Sequence, residues 1–133
     1  MLLVETYIEI SEGIGIGLYA KNRILKGTKY WVRNEIFDKI ISPSQLLRLN
    51  KLAINYIKKY GFLEVSGNWY LPGDNDRFTN HSKSSNTLNH FDNGGLLQYA
   101  TVTKDIEIGE EILCDYSEIC LTCKNGVFFE PMT

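Results

Sequence analysis

Two short segments in the C-terminal half of the chain constrain it more than its composition does. Residues 77–82 read RFTNHS, and residues 100–116 read ATVTKDIEIGEEILCDY. A glycine-rich turn, GIGIGLYA at residues 13–20, precedes both. Each segment alone is a weak signal, because an Asn-His pair in a loop and an acidic turn between two strands are both common. All three in this order are improbable as an accident.

The bulk composition is that of one ordinary globular domain. The chain has 133 residues, of which 44% are hydrophobic and 23% charged, which is enough for a single core. We therefore predict one domain over residues 1–133, with a helical insert at about 36–67 and a C-terminal tail at 117–133. Three cysteines in a chain without a secretory signal are an odd count, so we expect no disulfide framework.

Charge and hydropathy argue against several classes of partner. The N-terminal MLLVETYIEI is apolar but carries Glu5 and Glu9 and lacks a basic n-region, so it does not read as a signal peptide. No apolar run is long enough to span a membrane. The net charge is −2 and no basic patch is visible, which argues against nucleic acid as the main ligand. We expect a cytoplasmic protein that binds neither membrane nor nucleic acid directly.

Hydrophobic periodicity predicts several short strands and one substantial helix. Ser42 followed by Pro43 is typical of a helix start, and apolar residues then recur at helical spacing up to a natural stop at Gly61. This predicts one helix over residues 43–60. Strands are predicted at residues 2–10, 18–20, 28–32, 62–65, 87–91, 96–103 and 111–114. We predict a glycine-rich turn at 11–17 and an irregular segment at 69–86. The pattern indicates an α+β, mostly β domain.

The three motifs together resemble those of the SET-domain protein-lysine methyltransferases, over residues 13–116. The chain is similar to compact, viral or microbial forms that lack a zinc-binding post-SET segment. The resemblance implies a SET-domain fold, in which short curved sheets surround a C-terminal pseudoknot. Such threading is rare, and the local pattern does not predict it. The resemblance also implies methyl transfer from S-adenosylmethionine to a lysine side chain, with S-adenosylhomocysteine as the product.

The resemblance assigns cofactor-binding residues in two of the motifs. In the family, the G-x-G turn before a short strand presents its backbone to the cofactor. The matching positions here are Gly15, Ile16 and Gly17, where a Cβ would hold the backbone away from the ligand. The N-H-S motif implies that Asn80 and His81 hold the cofactor, largely through backbone groups. His81 is then expected to act neither as a base nor as a metal ligand.

The C-terminal tail carries an aromatic pair and half of a metal site. An aromatic residue stacks on the adenine in several relatives, which gives that role to Phe128 or Phe129, with packing against the sheet as the alternative. Cys120 and Cys123 have the spacing of two zinc ligands. The family's zinc-bearing members also have a cysteine directly after N-H-S, where this chain has Lys83, and a further cysteine in the tail. We expect no metal in a monomer.

The Asp-Tyr pair that closes the third motif implies the main catalytic side chain. In the family this tyrosine sits where the target amine meets the methyl donor, which assigns the role to Tyr116. A free lysine amine has a pKa of ~10.4, so deprotonating it at pH 7 costs about 4.6 kcal/mol. The positive sulfonium of the cofactor and a narrow, dry channel lower that pKa. We expect a site that works by alignment and needs no strong base.

Three further residues are assigned to the substrate pocket. Cys114 lies two residues before Tyr116, where a Phe or Tyr often tunes the number of methyl groups in the family. The smaller cysteine implies a roomier pocket that tolerates di- or trimethylation, and the alternative is a buried strand residue. Tyr70 and Tyr30 are candidates for the channel wall, with core packing as the alternative for each.

The expected function is therefore a protein-lysine methyltransferase that acts on a histone or another basic protein or peptide. The alternative is a non-catalytic SET-like module that holds cofactor or peptide without turnover. The substrate protein, its lysine and the source organism stay open. Self-association is also open, since a homodimer could complete an otherwise unclosed site. A viral or effector source would place the protein in a host nucleus rather than the cytoplasm.

Overall fold

The computed structural model describes residues 1–11, 13 and 15–119, which form short strands with few helices. In chain order the strands are β1 (Thr6–Ser11), β2 (Gly15–Ala20), β3 (Lys29–Val32), β4 (Lys39–Ile41), β5 (Phe62–Leu63), β6 (Trp69–Leu71), β7 (Asn80–His81), β8 (Thr87–Phe91), β9 (Leu97–Val102) and β10 (Leu113–Cys114). The α-helices are α1 (Pro43–Leu46) and α2 (Lys51–Tyr60), and two 3-10 turns cover Asn75–Phe78 and Tyr116–Glu118. The α+β, mostly β prediction is confirmed.

The strands form four small sheets. β1 and β2 make an antiparallel hairpin, β3, β9 and β8 an antiparallel sheet in that order, and β4, β6 and β5 another. The fourth sheet pairs β7 with β10 in parallel. The predicted β8–β9 hairpin is confirmed: its turn places Gly95 at φ +86°, and Asp92 Oδ1 accepts from the Leu96 amide at 2.9 Å.

One main core lies between the sheets. Its fully buried side chains are large and apolar, and they come from β2, β3, β6, β9 and the segment before β10: Leu18, Trp31, Tyr70, Val102, Ile106 and Ile112. A smaller cluster joins α2 to the β4–β6 sheet through Ile57, Ile41 and Trp69. Among the described residues, no helix is long and apolar enough to cross a membrane.

The helical region differs from its prediction. Ser42 caps α1 as expected, in a capping box with Gln45, and α2 ends at Gly61. The predicted single helix over residues 43–60 is wrong, because the helix ends after α1 and a second helix begins after Asn50. The Asn50 side chain accepts from the Ala53 amide at 2.9 Å and so caps a second helix. Asparagine at this position competes for a helical amide and favours a new N-terminus over continuation.

Two predicted irregular segments contain strands. Residues 11–17 were expected to be a turn, but β2 begins at Gly15, which pairs with Ser11. The hairpin is therefore tighter than predicted, because the glycines adopt strand pairing. The segment 69–86 holds β6 and β7. Its polar composition hid them, since β6 is three residues long and β7 only two, too short for a period-2 pattern to appear.

A buried asparagine fixes the pairing of β7 with β10. Asn86 is 4% exposed, its Nδ2 donates to the Glu111 carbonyl at 2.8 Å, and its Oδ1 accepts from the Leu113 amide at 2.8 Å. The Ser82 amide adds a bond of 3.0 Å to the Cys114 carbonyl. One side chain thus satisfies both a donor and an acceptor of the segment that leads into β10.

We expect Asn86→Ala to lower the free energy of unfolding by about 2–4 kcal/mol, because it leaves a buried carbonyl and a buried amide without partners. Urea denaturation at pH 7 would measure the loss. Asn22→Ala is the matched control: Asn22 also donates its side-chain amide, to Glu5 at 2.9 Å, but in an exposed setting. That control should change stability by less than about 0.5 kcal/mol. Equal effects of the two substitutions would contradict the bracing role of Asn86.

Candidate active site

A cavity of about 590 Å³ lies where distant segments of the chain meet. Residues 58–62 at the end of α2 line it, as do residues 76–81 and the first two residues of β2. Side chains from β3, β8, β9 and β10 complete the wall. This volume is within the usual range for a small-molecule site, and the mixture of aromatic and polar lining residues is typical of one.

β2 brings Gly15 and Ile16 to the cavity. Gly15 has φ +117°, a conformation that glycine adopts without strain and other residues rarely adopt. A Cβ added to Gly15 would meet no atom within 4 Å. The glycine is therefore required by the backbone conformation rather than by lack of space.

Gly17 has a different environment from the other two residues of its motif. It is not among the cavity-lining residues of the described chain, and a Cβ on it would lie 2.6 Å from Glu111 Oε2 and 3.1 Å from Asn80 Nδ2. Asn80 does line the cavity, and its Nδ2 donates to the Ile16 carbonyl at 3.2 Å and to Glu111 Oε2 at 2.8 Å. The close packing at Gly17 lets Asn80 hold β2 against the segment before β10.

Tyr116 lines the same cavity, and hydrogen bonds hold both its backbone and its side chain. Its backbone amide donates to His81 Nδ1 at 3.0 Å, and its hydroxyl donates to the Thr79 carbonyl. The rings of His81 and Tyr116 are 5.3 Å apart. Because His81 accepts through Nδ1, a neutral ring carries its proton on Nε2. His81 thus orients Tyr116, the second residue after β10.

Tyr30 and Cys114 form a buried part of the cavity wall. Burial raises the pKa of the Tyr30 hydroxyl, and the charge of Asp76 raises it further, while a hydrogen bond to Thr87 acts the other way. Burial also raises the pKa of Cys114 to about 12, so the thiol is neutral at pH 7. Asn89 Nδ2 donates to Cys114 Sγ at 3.4 Å. Both side chains are held as neutral groups.

Tyr70 lies in the core and is not among the cavity-lining residues of the described chain. It is fully buried and stacks on Phe62, with ring centroids 5.1 Å apart. Its hydroxyl donates to Asp38 and accepts from the Asn34 amide at 3.2 Å. These contacts match the alternative of core packing that the sequence left open for this residue.

Sequence reasoning did not single out Asp76, Thr79 or Glu111. Asp76 lines the cavity and accepts from Thr79 Oγ1 at 3.1 Å, while the Thr79 carbonyl accepts from Tyr116. Glu111 holds Asn80. Asp76 lies directly before Arg77, the first residue of the RFTNHS segment, and no sequence signal marked it.

Four residues of the tail lie outside the part of the chain that the structure describes: the aromatic candidates Phe128 and Phe129, and the pair Cys120 and Cys123. Within residues 1–11, 13 and 15–119, no three His, Cys, Asp or Glu side chains are grouped so that they could hold a metal ion. The contact of Phe128 or Phe129 with adenine stays a prediction, because both residues lie outside the described part of the chain.

The SET domain family model matches residues 15–117, most of the chain. A comparison with curated protein sequences gave no match. Among solved structures, the Polycomb Repressive Complex 2 of Chaetomium thermophilum, in an autoinhibited conformation bound to S-adenosylmethionine, is similar at a TM-score of 0.64 and 21% identity. The match covers 92% of this chain and 16% of that one. The likeness shows that the two share a fold.

Two further structures show the same fold. A humanized mutant of the Chaetomium complex bound to an inhibitor gives a TM-score of 0.61 at 22% identity, covering 85% of this chain and 15% of that one. A Plasmodium falciparum protein assigned as a histone methyltransferase gives 0.58 at 19% identity, covering 86% and 95%. The chain thus spans about one sixth of the Polycomb chains it matches, and nearly all of the Plasmodium one.

The contact at Gly17 generates a test of how β2 is held. We expect Gly17→Ala to lower the free energy of unfolding by about 1–3 kcal/mol, because the new methyl group displaces Glu111 from Asn80. Urea denaturation would measure this. Gly94→Ala is the control, because a Cβ there lies 3.4 Å from its nearest neighbour, Asp92 Oδ1. Superimposable curves for the two variants would contradict the proposed tight contact.

Proposed function

This chain belongs to the SET-domain family, and on that premise we propose that it is a protein-lysine methyltransferase. The methyl donor is S-adenosylmethionine, and the acceptor is a lysine side chain of a basic protein or peptide. One observation carries the proposal: the hydroxyl of Tyr116, fixed by the Thr79 carbonyl, shares one cavity with Gly15, Ile16 and the β7 strand. The proposed donor site and the proposed amine-orienting group thus share one cavity.

The residues that line the cavity fit the proposed cofactor. The cavity has room for a nucleoside with an amino-acid arm, and β2 offers it an open glycine backbone at Gly15. Tyr60 and Phe78 add aromatic surface to the wall, with ring centroids 5.3 Å apart. Lys58 and Lys59 also line the cavity and could meet the carboxylate of the amino-acid arm. When bound, S-adenosylmethionine supplies an electrophilic methyl group on a positively charged sulfur.

The chain itself provides alignment. The Tyr116 hydroxyl donates a hydrogen bond to the Thr79 carbonyl, which fixes the position of the phenol oxygen that would orient the amine. Tyr30 and Cys114 are buried and neutral, so they line the cavity without adding charge. Holding an amine in line with its reaction partner is worth several kcal/mol without any covalent step on the protein.

We expect Tyr116→Phe to lower kcat for methyl transfer by on the order of 10²-fold, because the amine loses the oxygen that orients it. Transfer of labelled methyl from S-adenosylmethionine to purified core histones would measure the loss. Affinity for the methyl donor should change by less than about threefold, because Tyr116 acts on the amine.

Tyr99→Phe is the matched control. Tyr99 stacks on His90, with ring centroids 4.4 Å apart, and is not among the cavity-lining residues of the described chain. Its loss of a hydroxyl should leave kcat within about twofold. Donor binding without transfer by the wild type would favour the alternative, a non-catalytic module that holds cofactor or peptide.

The size of Cys114 generates a prediction about the product. A thiol occupies less space than the Phe or Tyr found in many relatives, so the pocket has room for an amine that already carries methyl groups. We expect di- or trimethyl-lysine on histones after prolonged reaction. Mass spectrometry of the product would measure the distribution, and monomethyl-lysine alone at long times would reject the idea.

Substrate, assembly and location are proposals of the same kind. We propose a histone or another basic protein as substrate, supported by the description of the Plasmodium relative and by a net charge of −2 that suits a basic partner. A homodimer, a cytoplasmic location and the absence of membrane or nucleic-acid binding stay expectations from the sequence. A single monomer-sized peak in size exclusion across concentrations would count against the homodimer.

A further inference from the structure

Asp76 is the carboxylate that lines the proposed methyl-transfer cavity. It lies in the 3-10 turn that precedes β7, four residues before Asn80. The alternative to a chemical role is local: Asp76 Oδ1 accepts from Thr79 Oγ1 at 3.1 Å, which closes a turn. That bond uses one carboxylate oxygen and does not require the negative charge, because an amide oxygen would accept it equally well.

The second oxygen of Asp76 is the one available for chemistry. Among the described residues no donor reaches Oδ2, and this atom is not one of the buried polar atoms that lack a partner. Oδ2 is therefore accessible, and Asp76 is one of the residues that line the cavity. An accessible carboxylate oxygen can accept a hydrogen bond from a ligand without first breaking one inside the protein.

Thr79 links Asp76 to Tyr116. Its hydroxyl donates to Asp76 and its carbonyl accepts from the Tyr116 hydroxyl, so one residue fixes both side chains. Asp76, Tyr30, Cys114 and Tyr116 all line one cavity. Asp76 thus shares with Tyr116 both the Thr79 link and the cavity in which the target amine would be held.

We propose that Asp76 takes a proton from the ammonium group of the target lysine before methyl transfer. The proton moves from nitrogen to Oδ2, the N–H bonding pair stays on nitrogen as its lone pair, and the carboxylate becomes a neutral acid. Water in the cavity later removes that proton and restores the carboxylate. The proposal rests on the methyltransferase function and adds a base where the sequence led us to expect none.

The surroundings of Asp76 suit this role. Burial raises the pKa of Asp76 to about 7, and the charge of Asp74 adds to the effect. An ordinary carboxyl lies roughly 6.5 pKa units below a lysine amine, whereas Asp76 lies only about 3 below it. A base works best when its pKa is near the operating pH. Among the described residues, the titratable and hydrogen-bonding groups that act on Asp76 are Asp74, Asp38, the Met1 α-amino group and Thr79, and those that share its cavity are Tyr30, Lys58, Lys59, Tyr60, Arg77, His81, Cys114 and Tyr116.

The first test is the pH dependence of kcat/KM with core histones as substrate. For the wild type, kcat/KM should level off above about pH 7, once Asp76 is ionised. For Asp76→Asn it should keep rising tenfold per pH unit through pH 9, because the variant must draw on amine already neutral in solution. At pH 7 the variant should be slower by on the order of 10²-fold.

Asp74→Asn is the matched control, because it removes a neighbouring carboxylate rather than the proposed base. Asp74 raises the pKa of Asp76, so this variant should keep the plateau but reach it at a lower pH. A plateau that survives in Asp76→Asn would overturn the proposal, even if overall activity falls. Such a result would leave Asp76 as a turn residue and the methyltransferase function intact.

The second test is a titration of the wild-type protein that needs no turnover. The Asp76 carboxyl carbon can be followed by NMR across pH, identified by its absence from the Asp76→Asn spectrum. S-adenosylmethionine should lower the pKa of Asp76 more than S-adenosylhomocysteine does, because only the former carries the sulfonium charge. Equal titration with both ligands would overturn the proposal. Failure to bind either ligand, measured by calorimetry, would instead contradict the proposed function.

Discussion

The parallel pairing of β7 with β10 is the contact on which the rest of this molecule depends. Two strands of two residues each cannot hold themselves together. Side chains supply further hydrogen bonds to the segment that forms β10. Asn86 donates to the Glu111 carbonyl and accepts from the Leu113 amide, and Thr87 Oγ1 donates to the Leu113 carbonyl at 2.8 Å. A buried amide that donates and accepts in one place satisfies only one register, so these bonds select the position of β10 as well as stabilising it.

The cavity follows from that contact. With β10 beside β7, Tyr116 lies against His81, whose Nδ1 accepts its amide. On the other side, Asn80 reaches across to the Ile16 carbonyl and Glu111, which draws the β1–β2 hairpin to the same place. Three segments that are far apart in sequence thus meet at one strand pair. The backbone at Gly15 and Ile16 and the phenol of Tyr116 therefore line one cavity because of a single junction.

Local signals in the sequence predicted the elements that local physics determines. Pro43 and Gly61 bounded the helical region, and the glycine turn between β8 and β9 marked their hairpin. The end of the first helix before Asn50 was not predicted, because apolar residues continue at helical spacing across it. The cause is the side chain of Asn50, which accepts a hydrogen bond from the Ala53 amide and so starts a second helix. The β7–β10 pairing has no local period at all. The candidate site therefore came from the family resemblance, and Asp76 was missed because it lies directly before the RFTNHS segment, at a position to which the resemblance assigns no role.

The carboxylate of Asp76 has a thermodynamic cost that a purely structural residue would avoid. Because its pKa is raised to about 7, the folded protein holds this proton more tightly than the unfolded chain does between about pH 4 and pH 7. The free energy of unfolding therefore falls as the pH rises through that range, and the stability present in acid is lost by neutral pH. An asparagine would accept the same bond from Thr79 without this loss. A group that weakens the fold at the working pH, lines a cavity and shares Thr79 with Tyr116 is better explained by chemistry than by packing.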